Sequence, residues 1–260
     1  MSAQLSVPAT PHAAGSRRLR AYALEAKTEC LRMLREPMFV LPTLLFPALF
    51  YLLFGVLLNR GSSHAAQYLL ATYGVFGVIG AAMFGFGATI AVDRQRGLLR
   101  LKRVLPVPAG APLLAKMVMA MAFALAVSVI VGTIARVAAG VQLSASQWML
   151  LALVDVLGAV PFCAIGMYLG TLVSGSAAPA LLNLLYLPMA FLSGLWLPLS
   201  MLPDMVAKLA PAWPAFHLSQ LALKVVGHDQ GMPVWLHVLV LTVVAGAFFV
   251  LAQRRLSAMD

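Results

Sequence analysis

Apolar residues fill six runs along the chain: Met38–Leu58, Gln67–Val92, Leu113–Val137, Trp148–Val173, Ala178–Leu197 and Val234–Ala252. Each reaches the roughly 20 residues that a helix needs to cross a hydrocarbon core about 30 Å thick. The pattern ahead of the first run is different. Over Arg17–Glu36, the residues Leu19, Tyr22, Ala23, Ala26, Cys30, Met33 and Leu34 recur at spacings of three and four. They share one face of a predicted helix, and Arg18, Glu25, Glu29, Arg32 and Glu36 lie opposite. Joined directly to a span, such a helix is expected to lie in the membrane interface. Pro37 ends or bends it. Residues 1–16 are small, polar and proline-containing, and are expected to form a disordered tail.

Two connections stand out from the apolar pattern. The first is Ala91–Pro112, AVDRQRGLLRLKRVLPVPAGAP, where Leu98, Leu99, Leu101, Val104 and Leu105 are interleaved with five cations. A plain polybasic loop does not need so many leucines, and these ask for an apolar partner. The second is Pro198–Pro233, too apolar for a solvated loop and too broken by proline for a span. Two short helices fit it, about Pro203–Leu209 and Pro214–Val226, with prolines near their starts and Gly227 ending the second. They are expected to lie on or dip into the outer leaflet.

Composition agrees with this all-α polytopic membrane reading. Of 260 residues 62% are hydrophobic and 10% charged, far more apolar than a soluble core absorbs. The net charge of +10 could suggest nucleic acid, but the cations sit at the ends of apolar runs, which is a membrane-orientation pattern. With the N-terminus inside, fourteen of the eighteen Lys and Arg residues fall on the cytoplasmic side, and Arg60, Arg136, Lys208 and Lys224 fall outside. Both termini are therefore expected in the cytoplasm, and Pro198–Pro233 outside. No cleavable signal peptide is evident. Cys30 and Cys163 lie in unlike surroundings, so no disulfide is expected.

Candidate chemistry is sparse. No G-x-x-x-x-G-K-[ST], H-E-x-x-H or G-x-S-x-G occurs, so no catalytic, ATP-binding or metal-binding residue is expected in this chain. The five histidines, His12, His64, His217, His228 and His237, lack ligand spacing and read as core or interfacial. Asp155 is the one acid deep in a span, where a carboxylate marks function by default. Trp148 reads as the outer interface, which puts Asp155 about 10 Å in and within reach of Arg136. Gly166, Gly170 and Ser174 form a small-residue stripe suited to close packing within one subunit. Asn183, Ser193 and Asp155 are the candidates for a translocation pathway, Asn183 because an amide cannot face lipid unsatisfied.

Taken in order, these pieces resemble a permease subunit of the type-2 ABC transporters, an export family for drugs, lipids and polysaccharides. The resemblance covers about residues 17–255. It rests on Arg35-Glu36-Pro37 closing the first helix, the six runs, and Asp93-Arg94-Gln95-Arg96-Gly97-Leu98-Leu99 followed by Leu105-Pro106. The fifth run and its exit carry the rest: Leu187-Pro188, Phe191-Leu192-Ser193-Gly194, Pro198, Leu202-Pro203, Pro211 and Pro214. Many members follow the loop glycine with Thr-Leu-Glu. Here it is Leu98-Leu99-Arg100, so the loop has no acid after Asp93.

The resemblance implies six transmembrane helices behind an amphipathic interfacial helix, in the inner membrane of a bacterium. It also implies two copies of a separate ABC ATPase, which bind ATP and Mg, and a second permease subunit forming a homodimer among membrane lipids. The coupling element would comprise Asp93, Arg94, Arg96, Gly97, Leu98, Leu99, Arg100, Leu101 and Leu105. A channel or a carrier not driven by ATP is the alternative, and would need a polar pore lining. An intramembrane enzyme would need a nucleophile and base that the sequence does not offer.

Overall fold

The computed structural model describes residues 11–59, 61–104 and 110–258. The described residues are 84% helix and include no strand. Apolar chain of this length satisfies its backbone groups within helices, which a lipid core demands. The helices are α1 (Pro11–Leu34), α2 (Pro37–Leu58), α3 (Ser63–Gln95), α4 (Leu98–Val104), α5 (Ala111–Val137), α6 (Ala145–Leu172), α7 (Ala178–Leu192), α8 (Asp204–Leu209), α9 (Pro214–Val226) and α10 (Val234–Ala258).

Five of these, α2, α3, α5, α6 and α10, are long and apolar enough to cross a membrane. The fifth predicted span, Ala178–Leu197, is shorter than its hydropathy suggests. Its helix stops at Leu192, where the chain turns through Ser193 and Gly194. The predicted tail also differs. Residues 11–16 already belong to α1, and residues 1–10 lie outside the described part. The two short helices fall where proline and glycine place them, at Asp204–Leu209 and Pro214–Val226. Gly227 closes α9 in the left-handed region (φ +79°), which costs glycine nothing. α9 does not lie on a surface, however. It packs against α3, α6 and α10, burying Phe216, Leu218 and Leu223.

α3 is the central post of the bundle. Leu70, Tyr73, Val75, Val78, Ile79 and Met83 are each at most 1% exposed, and α2, α5, α6 and α9 surround it. By contrast α2 turns Leu45, Phe46, Leu49 and Leu53 outward, an apolar face suited to lipid. Two helices widen into π-turns, α2 over Tyr51–Leu58 and α3 over Met83–Ala88. The second widening meets α6 backbone to backbone. A Cβ on Gly87 would sit 2.6 Å from the Gly166 carbonyl oxygen, and one on Gly166 would sit 2.7 Å from that of Met83. Gly170 faces Gly87 as closely. The stripe Gly166–Gly170 thus packs within the subunit.

This contact generates a prediction. Gly166→Val or Gly170→Val forces two backbones apart, and each should destabilise by about 1–3 kcal/mol or more. Gly246→Val, where a Cβ meets nothing within 4 Å, should leave the melting temperature in detergent unchanged. Equal melting temperatures for all three variants would show that the α3–α6 approach is loose.

Candidate functional site

The loop starts from a ring of four charges. Lys116, in the first turns of α5, donates to Glu29 of α1 (2.5 Å) and to Asp93 of α3 (2.7 Å). Arg32, one turn along α1, donates to the other Asp93 oxygen (2.9 Å) and lies 3.5 Å from the other Glu29 oxygen. Each acid therefore bridges both bases, and the ring is neutral. The side chains of Lys116, Asp93 and Glu29 are 1%, 2% and 5% exposed, so these charges are held almost out of water. Their removal from water is costly, and only complete mutual pairing offsets it. α1, α3 and α5 are thereby pinned together at one end of the bundle.

The ring corrects the reading of α1 as a helix with a solvated charged face. Glu29, placed on the polar side by periodicity, is buried, whereas Leu19 and Leu34 are 73% and 57% exposed. The apolar residues Cys30 and Met33 pack on α5 beside Phe123 and Met119. It also supplies from α1 the second acid that the loop lacks. Lys116 was the available signal, since a lysine just inside an apolar run requires a carboxylate nearby.

The residues expected to contact an ATPase separate into two groups. Asp93 and Arg94 turn inward. Asp93 belongs to the ring, and Arg94 donates to the carbonyls of Thr171 (2.6 Å) and Val173 (2.5 Å), closing the end of α6. Gly97 (φ +70°) then redirects the chain into α4. There Leu98 and Leu99 are half-buried, and Leu101 and Val104 are 55% and 79% exposed. The Arg100 side chain and Leu105 lie outside the described residues. Arg96 faces a groove.

That groove, about 780 Å³, runs between α2, α3 and α7. Its walls include Phe39, Phe46, Phe84 and Tyr186, and Arg96 and Glu36 stand at the charged end. Asn183 lines it, as its amide requires. Asp155 and Ser193 are not among the lining residues. Asp155 is 1% exposed, enclosed by Gly74 and Ser128, with Oδ1 lacking a hydrogen-bond partner. It does not pair with Arg136, which points outward. Ser193 Oγ is likewise buried and unpartnered.

Four of the five histidines meet in pairs. At the end away from the ring, His217 of α9 and His237 of α10 face each other Nδ1 to Nδ1 at 2.9 Å, 3% and 1% exposed. His217 Nε2 lies 2.9 Å from the Pro211 carbonyl, which only accepts. His217 must therefore donate from Nε2 and accept at Nδ1, with His237 donating. The His64 and His228 rings meet at a tilt with centroids 4.0 Å apart, and His228 also reaches Gln67. Nearby, Lys224 holds the Asp229 carboxyl below its usual range.

The comparisons with known proteins agree with this architecture. Residues 21–226 match the family model described as ABC-2 type transporter. The chain is 29% identical over 230 residues to "Putative transport permease YvfS" of Bacillus subtilis (strain 168), covering 86% of this chain and 92% of that protein. The chain belongs to the ABC-2 type transporter family. It is a multi-pass membrane protein and a transport permease, a class that associates with an ABC ATPase.

Two predictions concern the charges. Lys116→Met leaves Glu29 and Asp93 with Arg32 alone and should destabilise by about 3–5 kcal/mol. Adding Glu29→Gln restores neutrality and should recover part of the loss in a detergent melting assay. A double variant no more stable than the single one would refute the ring as an energetic unit.

The second concerns pH. Burial lowers the pKa of His217 below its ordinary 6.5, and burial followed by His64 lowers that of His228. The unfolded chain then binds more protons around pH 6, so this stability is complete above 6.5 and lost as pH falls below it. Melting temperature should drop between pH 7.5 and 5.5, and drop less in the His217→Asn, His228→Asn double variant. An unchanged drop would assign the effect to other groups.

Proposed function

We propose that this protein is the membrane subunit of an ATP-driven exporter, powered by two copies of a separate ATPase that dock on the 91–112 loop. α4 is the observation that carries this reading. It stands beyond the bundle, and Leu101 and Val104 are left uncovered while Leu98 and Leu99 are partly so. Its root is rigid, because Asp93 and Arg94 tie the end of α3 to α1, α5 and α6. Motion of α4 would therefore pass into the bundle rather than be lost in a flexible loop. In this reading Asp93 and Arg94 hold the element in place, and the leucines make the contact.

The distribution of lysine and arginine supports placing the ring end in the cytoplasm, with both termini there. α8 and α9 then lie toward the outside of a bacterial inner membrane. ATP and Mg belong to the partner, and a second copy of the permease completes a homodimer. The cargo is an amphipathic molecule of lipid, drug or polysaccharide type moved outward.

The test is a double substitution on α4. Burying one leucine is worth roughly 1.5–3 kcal/mol and an exposed ion pair about 0–1, so the leucines should hold the complex. Leu98→Asp with Leu101→Asp should release the ATPase from the purified complex and abolish export, with the permease still folded in the membrane. Retention of the ATPase and normal export would move the coupling site elsewhere, the first candidate being Ser174–Ala178.

A further inference from the structure

The groove beside the ring carries more than an apolar wall. Along its length the polar groups are mostly engaged. The Tyr186 hydroxyl donates to the Phe76 carbonyl (2.8 Å), the Thr89 hydroxyl to that of Gly85 (2.6 Å), and Arg32 is neutralised inside the ring. Two charges remain. Glu36 stands between α1 and α2, and Arg96 stands at the end of α3. Both are exposed, and they make no ion pair with each other; Glu36 feels the attraction of Arg32, whose own contacts are taken up by the ring. The mouth thus presents one cation and one anion, not paired with each other, above an aromatic trough.

We infer that this groove binds a single-chain amphipath drawn from the membrane, with a zwitterionic head group. The anionic part of the head sits on Arg96, the cationic part on Glu36, and the chain lies along Phe39, Phe84 and Tyr186. A purely anionic head would leave Glu36 facing a like charge, and a purely cationic head would do the same to Arg96. The volume of about 780 Å³ falls within the range of roughly 300–1,000 Å³ that encloses one drug-sized molecule. This assignment deepens the permease reading and rests on it.

The experiment uses the full chain in lipid nanodiscs, without an ATPase. Three dodecyl probes carry a diazirine at the same carbon and differ only in head group: phosphocholine, sulfate or trimethylammonium. After photolysis, labelled residues are located by peptide mass spectrometry. The phosphocholine probe should label the Phe39, Phe84 and Tyr186 peptides about fivefold more than either charged probe, the discrimination that one exposed ion pair supplies. Arg96→Glu should transfer the preference to the trimethylammonium probe, and Glu36→Lys should transfer it to the sulfate probe. The double variant, Arg96→Glu with Glu36→Arg, should restore phosphocholine. Both side chains are exposed, so these variants leave the core intact. Equal labelling by the three probes, a preference that ignores charge reversal, or crosslinks from a second permease copy at these peptides would each overturn the inference. Because no ATPase is present, the head-group preference and the exporter reading fail separately. Export by a groove with no preference sinks only the former, and a charge-dependent preference in a chain that recruits no ATPase sinks only the latter.

Discussion

Three charges held away from water, with Arg32 completing their ring from the edge, set the terms for this end of the molecule. A lysine that is 1% exposed is tolerable only because two carboxylates reach it, and they reach it only if α1 lies against α5 and α3 ends at Asp93. Electrostatics here acts as a geometric constraint more than as a source of stability, since an apolar replacement of the whole ring would be about as stable. What the ring fixes is register: the height of α1 on the bundle and the point from which α4 departs.

The remainder of the bundle depends on α3 being small and close-packed rather than merely apolar. Glycine and alanine along it let α6 approach until backbone meets backbone, and the widened turn at Met83–Ala88 lies at that approach. Aromatic residues fill the opposite side, where Tyr186 stacks on Phe76 with centroids 4.9 Å apart and Trp196 meets Phe76 edge to face at 5.9 Å. One side of the post is thus tightly seated, and the other borders the groove. That division puts the open volume beside the charged ring rather than in the middle of the bundle.

Much of this was legible in the chain. Long apolar runs announce helices, and proline with glycine punctuates them, which is why Asp204–Leu209 and Pro214–Val226 could be placed almost to the residue. What periodicity conveys is which residues share a face, not what that face meets. Glu29 read as solvated because a polar stripe normally is, and its partner lies on a helix far along the chain. Hydropathy likewise runs unbroken through Leu197, although the helix stops five residues earlier. The histidine pairs gave no local signal, because tertiary packing alone brings α9 to α10 and the start of α3 to the loop after α9. Asn183 was the converse case: an amide cannot face lipid unsatisfied, so it was expected to face protein or a cavity, and it lines the groove.

The short α7 has a consequence for how its end is held. Fifteen residues span about 22 Å, less than the hydrocarbon core of about 30 Å. Beyond it the chain runs non-helical through Ser193–Trp196, which could not sit in lipid with its carbonyls bare. Two tyrosines of α3 satisfy it instead, Tyr68 donating to Gly194 (3.0 Å) and Tyr73 to Trp196 (3.3 Å). The end of α7 is therefore tied to α3 through backbone carbonyls that a longer helix would have used in its own ladder.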